Sequence, residues 1–488
     1  MDKKEKSDLY KYLHKDVKEF NKYILSLVCI GILVLAGLLS YFITTSYAYF
    51  TDTIVGKKTI EAKVDTCSQN KPNEPVLDSS MIPVYYDKTT ETWKKADSTN
   101  KSNNWYDYCE KKWANSVTVS STNRSKYRSA SAGTEIPMDD ILTMQVWIPR
   151  YKYKVWNYNA DGTKTSNEQQ IEITFEDGTA TTGEITCTDA ISGTDGDPSE
   201  TCKLKSTNAT CTDSTCNNKT YTHPAFTFGN EEIKGFWVGK FELTGTISSI
   251  TTKPNLSSIR NQNISAFETN IMNMKNSNNS YGLSSATDTH MIKNNEWGAV
   301  AYLSHSKYGT CSDGTCSEIG INNNSSYTTG CGAEAGSYLS ETCNVYNTVT
   351  GILASTTGNI YGVYDMSGGA LEYTMANIVS TDGATMIPSN SKFTTTTYPN
   401  SKYYDKYSYG TSNTEFKRSK LGDGIKEVYK GSYGWYIDRT AIVCSDTPWF
   451  GCGGIYNYRT GAGVFNSGAT YGGKVTSDSS RLIITPQS

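Results

Sequence analysis

Thirteen cysteines are the residues of this chain best suited to covalent chemistry, and their spacing says which kind. Cys29 lies in an apolar run, and the other twelve fall as neighbours: Cys67/Cys109, Cys187/Cys202, Cys211/Cys216, Cys311/Cys316, Cys331/Cys343 and Cys444/Cys452. An even number outside a membrane points to disulfides, although spacing does not fix who pairs with whom. CTDSTC and CSDGTC have polar, turn-forming interiors that favour closing on themselves, each small loop contributing roughly 2–3 kcal/mol. Zinc is the alternative, but no C-x-x-C and no neighbouring histidine completes a tetrahedral set. His14, His223, His290 and His305 carry no H-E-x-x-H, triad or ligand spacing. Asp139/Asp140 and Glu231/Glu232 are adjacent pairs whose side chains point apart in a strand or turn, which suits solvated charge. With no nucleophile elbow, P-loop or dinucleotide fingerprint either, no catalytic residue and no metal ligand is assigned.

The elements around these residues follow from composition and patterning. Charged residues make up 19% of the chain and mean hydropathy is −0.51, so its polarity comes from Ser, Thr, Asn, Gly and 35 tyrosines. That suits a β-rich, loop-heavy surface protein and equally an AT-rich coding sequence. With seven lysines against five acids in residues 1–22 and a formal net charge of −3 overall, residues 23–488 carry −5. A slightly acidic remainder argues against nucleic acid as a partner.

Ile24 to Ile43, ILSLVCIGILVLAGLLSYFI, holds no charge and is apolar on every face. At about 1.5 Å per residue it spans roughly 30 Å, one hydrocarbon core. A short amphipathic helix over Leu9–Phe20 leads into it, and the preceding lysines place residues 1–22 in the cytoplasm. Cys29 follows no lipobox. The sequence thus predicts a bacterial cell-membrane protein, single-pass through residues 23–45, with the N-terminus cytoplasmic and the C-terminal domain extracellular. The segment is either a retained signal anchor or is cleaved after Ala48.

Residues 46–135 read as an extracellular, loop-rich stalk, and 136–488 as a head with disulfide-stapled insertions at 179–220 and 306–345. Met144–Asn159 alternates as a strand, with Ile171–Gly178 its antiparallel partner and Gly235–Gly245 a further strand. Phe267, Ile271 and Met274 make one helical face within Ser257–Met274, and Asn294–Ser306 reads as a second helix. The pattern is α+β without internal repeats. NIYGVYDMSGGALEY, Asn359–Tyr373, fits neither period; it reads as a tightly turned core loop that approaches another backbone at Gly368 and Gly369.

That segment resembles the N-x-x-G-L-Y-D-M-x-G-N-V-W-E-W stretch of the formylglycine-generating (sulfatase-modifying-factor) family. GFWVGKFELTG, IKNNEWGAVAYL with Glu296 and Trp297, KGSYGWY (Lys430–Tyr436) and the closing RLIITP match further family segments in order, over about 220–488. The resemblance implies a C-type-lectin-like fold. Family enzymes use two C-terminal cysteines in C-x4-C spacing for copper-dependent oxidation of a substrate cysteine. Here Cys444 and Cys452 are separated by seven residues, with no electropositive neighbour, so no enzyme is expected. Gly369 stands where the family has a calcium-turn Asn. No cofactor is expected beyond a weakened calcium site near Glu372.

PWFGCGGIYNYRTGAGVFNSGATYGG, Pro448–Gly473, resembles the W-F-x-R-G-G-x-Y…A-G-V-F segment of retroelement-diversified variable proteins of phages and bacteria, which are lectin-like and non-catalytic. The resemblance implies glycine-fixed turns (Gly453, Gly454, Gly461, Gly463) around a plug of Val464 and Phe465. Ligand binding then falls to Trp449, Phe450, Tyr456, Asn457, Tyr458 and Arg459, with Asn466, Ser467 and Tyr471 on a neighbouring loop. Tyr with Ser, Gly and Asn combines rigid contact area with adaptable hydrogen bonding. The expected function is that of a membrane-anchored adhesin or receptor for an extracellular protein or glycan ligand on another cell or surface. One alternative is a formylglycine-generating-type oxidase. The other is a surface fibre or pilus-like subunit, because SYAYFTDT (Ser46–Thr53) resembles the junction of camelysin-type proteins.

Overall fold

The computed structural model describes residues 4, 6–8, 21–22, 71–99, 105–158, 164–189, 194–321 and 345–486. Residues 1–69 form one compact unit and residues 70–488 another. In the first, the few described residues are helical.

The second unit is built on β4 (Ile141–Pro149), ILTMQVWIP, which is buried along nearly its whole length. Both faces are covered, which is why strict alternation is lost. Around it runs an antiparallel seven-stranded sheet made with β1 (Ile82–Asp87), β2 (Thr92–Lys95), β3 (Asn115–Val119), β10 (Gly235–Gly239), β11 (Asp288–Met291) and β17 (Leu482–Thr485). Its order is β11-β17-β10-β4-β3-β1-β2, so the last strand of the chain is threaded between two earlier ones. Trp147 and Trp237 face each other across β4 and β10 with ring centroids 5.3 Å apart.

The stalk expectation is corrected here, because residues 82–119 supply three strands of this sheet. Trp93, Trp105 and Trp113 are buried, and each indole N–H donates to an internal acceptor: Tyr346 Oη at 2.9 Å, Asn115 O at 2.7 Å and Tyr308 O at 2.8 Å. Met144–Asn159 is not one strand either. It breaks at Arg150, whose buried guanidinium binds Glu176 at 2.9 Å and Glu232 at 2.6 Å.

Beyond the break, β5 (Tyr151–Lys154) pairs with β6 (Ile173–Phe175) as expected, within a five-stranded sheet. Its other strands are β7 (Ile185–Asp189), β8 (Glu200–Leu204) and β9 (Thr220–Thr222), in the order β6-β5-β9-β7-β8. The insertion 179–220 is therefore partly sheet rather than loop, and Cys187–Cys202 ties β7 to β8. Cys211–Cys216 and Cys311–Cys316 close on themselves, and Cys109 is disulfide-bonded. Cys67, Cys331 and Cys343 lie outside the described residues.

A second five-stranded sheet centres on β12 (Leu371–Ile378), fully buried. It pairs in parallel with β13 (Asp405–Tyr407) and β16 (Asp478–Ser480), and antiparallel with β14 (Trp449–Cys452), which in turn pairs with β15 (Ser467–Thr470). Helices are few: α1 (Ser121–Ser129), α2 (Ile264–Met272) and α3 (Asn294–Ser304) are the α-helices of nine or more residues among those described. The Asn263 side chain caps α2 by accepting from Ala266 N–H at 2.9 Å, and Phe267 and Ile271 turn inward. Glu296 reaches back to the Lys293 N–H at 2.8 Å, and α3 is buried all round. Gly298 is required there, since a Cβ would meet the Gly422 carbonyl. The described residues are thus sheet-rich, with few helices.

The single-pass localisation is corrected. Among the described residues no helix is long and apolar enough to cross a membrane. The run 24–43 and the junction 46–53, which carried the anchor and fibre expectations, lie outside the described residues.

Candidate functional site

The segments singled out in the sequence meet in the core and brace one another. Lys240 is buried, and its ammonium donates to the carbonyls of Ile360 (2.7 Å) and Gly362 (2.9 Å). Burial lowers its pKa well below the usual lysine value. Glu242 accepts from Ala370 N–H at 3.1 Å and from the Ser258 hydroxyl. Burial raises its pKa well above the carboxylate range, and the neighbouring Glu372 and Asp365 add to this. Glu372 is fully buried and paired with Arg481 through Nε at 2.8 Å and a second contact from Nη2. Arg481 also donates to the carbonyls of Gly239 and Tyr364, each at 2.9 Å. Both Glu372 oxygens thereby accept from the guanidinium.

Gly368 and Gly369 do approach another backbone. They adopt φ of 76° and 70°, conformations that favour glycine. The Gly368 N–H donates to Gly453 O at 3.0 Å, and Gly369 O accepts from Tyr456 N–H at 2.9 Å. This buried loop therefore grips the start of the turn Tyr456–Gly461.

That turn carries the surface chemistry. Asn457 and Arg459 are exposed and Tyr456 and Tyr458 half-buried. Beside it stands a second turn, 433–439, which the sequence reading did not assign to the site. Arg439 N–H donates to Gly461 O at 3.0 Å, and its guanidinium lies 5.4 Å from the Tyr458 ring centroid while donating to the Tyr458 hydroxyl at 3.2 Å. At the tip of this second turn Tyr433 is 51% and Ile437 60% exposed. Ile437 has φ of 70°, a region a β-branched residue enters only under strain. Its base is fixed by Trp435, which donates to Ser166 Oγ at 2.9 Å and meets the Phe465 ring at 5.3 Å. The clue in the sequence was KGSYGWY, three aromatics around Gly434, read only as a family segment.

Five of the nine expected binding residues stand elsewhere. Trp449 and Phe450 are fully buried in β14, against Phe393 at 5.7 Å and Tyr407 at 4.9 Å, so they are core. Asn466 and Ser467 are buried, donating to Gly461 O at 2.6 Å and Ala441 O at 3.0 Å. Tyr471 is 55% exposed but lies past the far end of β15, about 14 Å along the strand from Ser467.

No family model matches the chain, and no curated protein does. Among solved structures it is similar to the Major Tropism Determinant U1 Variant at 10% identity and TM-score 0.24, over 84% of this chain and 73% of that one. The Major Tropism Determinant I1 Variant aligns at 10% identity and TM-score 0.23, over 85% and 74%. At these scores the likeness carries no argument.

Several other reactive groups among the described residues are buried. Cys444 and Cys452 are free and buried, not bridged to each other. They sit against Thr447 Oγ1 at 3.2 Å and Asn294 Oδ1 at 3.4 Å, and burial raises the Cys452 thiol well above its ordinary pKa. Burial lowers His223 to about 3 and His305 to about 4, so both are neutral core groups. Among the described residues, Cys187, Glu200 and Cys202 bring their ligand atoms together, but the two sulfurs are bonded to each other and offer no thiolate.

Proposed function

We propose that this chain is a non-catalytic recognition protein on a C-type-lectin-like framework, which holds a protein ligand on the paired turns 433–439 and 456–461. The observation that carries this reading is the Arg439–Tyr458 contact between them, with Tyr433, Ile437, Asn457 and Arg459 presented around it. Tyrosine and arginine dominate binding hot spots because they supply large contact area with directional polar ends. The turns rest on a rigid floor, from Gly368–Gly369 below one and Trp435 below the other, so little ordering cost attends binding. The strain at Ile437, about 1–2 kcal/mol for a non-glycine left-handed residue, supports a role outside folding. The high pKa of the buried Cys452 thiol speaks against the oxidase alternative.

Retroelement diversification of the 456–459 positions is the finer form of the proposal. It predicts a neighbouring reverse-transcriptase gene and a near-copy of the last ~100 nucleotides differing at adenines. The binding test is a printed panel of purified cell-surface proteins probed with the labelled full chain. Tyr458→Ala combined with Arg459→Ala lowers retention on any captured target at least tenfold at unchanged melting temperature. Equal retention by wild type and variant contradicts the proposal, as does a panel that retains nothing.

A further inference from the structure

A cleft of about 840 Å³ opens between the β5–β9 sheet and the segments 400–406 and 420–421, and no residue of either turn lines it. Its volume falls in the range of small-ligand sites, roughly 300–1,000 Å³. The start of α3 forms part of its wall. There the Asn295 backbone N–H is taken by the Asp405 carboxylate at 2.7 Å, but the Asn295 side-chain oxygen has no hydrogen-bond partner, although the residue is only 9% exposed. A buried acceptor left unmade is costly, and Asn295 lines the cleft, so rotation of its side-chain amide toward a donor bound there removes that cost.

The lining narrows the donor's chemistry. Five lysines and five carboxylates face the cleft, so it favours neither an anion nor a cation. Much of this charge is already answered: Lys420 holds Asp189 at 2.5 Å, Arg150 holds Glu232 at 2.6 Å, and the Lys402 and Lys293 ammoniums lie 4.9 and 5.2 Å from the Phe228 ring centroid. The other polar groups are threonines, a serine, asparagines and the tyrosines Tyr221 and Tyr404, which both donate and accept. Glu200 receives the Leu421 N–H at 2.5 Å, and burial raises its pKa to about 7, so near neutrality it too both donates and accepts. Hydroxyls, amides and internally paired charges around an unfilled acceptor match a ligand that is uncharged and rich in hydroxyls.

We propose that this cleft binds a neutral saccharide, at a site separate from the paired turns. The test uses the full chain on an array of neutral, sialylated and sulfated oligosaccharides, with the best neutral hit titrated by saturation-transfer NMR. The exposed Ser401→Trp fills the mouth of the cleft without touching the core, and Asn295→Ala removes the acceptor. The expected result is retention of a neutral oligosaccharide, weakened at least tenfold by each substitution and unchanged by Tyr458→Ala. The proposal is overturned if no neutral glycan is retained, if charged glycans are retained more strongly, or if binding survives Ser401→Trp. Loss through Tyr458→Ala would move the glycan to the turns and also overturn it. A null array leaves the protein-binding face standing, because that face is read on a different panel.

Discussion

Tyr458 and Trp449 are nine residues apart and both aromatic, yet their environments assign them opposite roles. Tyr458 carries a guanidinium on its face at the surface, whereas Trp449 is enclosed by Phe393 and donates to the Pro388 carbonyl at 3.2 Å. Trp449→Ala should therefore cost about 3–5 kcal/mol of stability, measurable by denaturant titration, through a cavity rather than a lost ligand contact. Ile437 offers the opposite test. Replacing it with glycine at φ of 70° relieves left-handed strain and should raise stability by about 1 kcal/mol while weakening ligand binding; destabilisation would refute the strain. At this scale the sequence was legible for residue type and not for direction. Asn457 and Arg459 are exposed and Tyr456 and Tyr458 half-buried, whereas alternation along β14 is hidden because both faces of that strand are covered.

Elements joined by buried charge show where patterning succeeds and where it fails. The α2 and α3 helices and the β10 strand were readable because apolar residues recur at helical spacing or cluster in a short run. β3 was not, since NSVTV looks solvated while all five residues are buried. Two of its polar side chains donate to internal acceptors, Asn115 to Tyr361 O at 2.8 Å and Ser116 to Gln145 Oε1 at 3.2 Å, and a single sequence gives no sign of such partners. The β12–β17 junction has the same character. Arg481→Met leaves Glu372 buried without its cation and two carbonyls without donors, and should cost about 3–5 kcal/mol. The Glu372→Gln/Arg481→Met double variant should recover part of that loss in thermal melts. Additive losses would mean that the ion pair is not what couples the two strands.

For the whole molecule, the buried titratable groups make stability depend on pH in a definite direction. Burial raises Glu268 and Glu427 to about 8, from an ordinary carboxyl value of 4.5. Between about pH 6.5 and 8 the unfolded chain has lost these protons while the folded chain keeps them, so stability falls as pH rises. His223 and His305 act oppositely, but only below their unfolded pKa of 6.5, where the unfolded chain binds protons that the folded chain refuses, and the buried Lys240, its pKa lowered by burial, opposes the two carboxyls as a single group. Melting temperature should therefore drop from pH 6.5 to 8, and Glu268→Gln with Glu427→Gln should flatten the slope. A rise over that range would contradict the burial of those two carboxyls. The rigid interior that holds these groups also holds up the paired turns, and the location of the ligand on those turns is the central claim. Hydroxyl-radical footprinting of the full chain, free and bound to a target captured on the protein panel, tests it most directly. The account predicts protection of Tyr433, Tyr456 and Tyr458 with Tyr471 unchanged; protection of Tyr471 with Tyr433 and Tyr458 still reactive would contradict it.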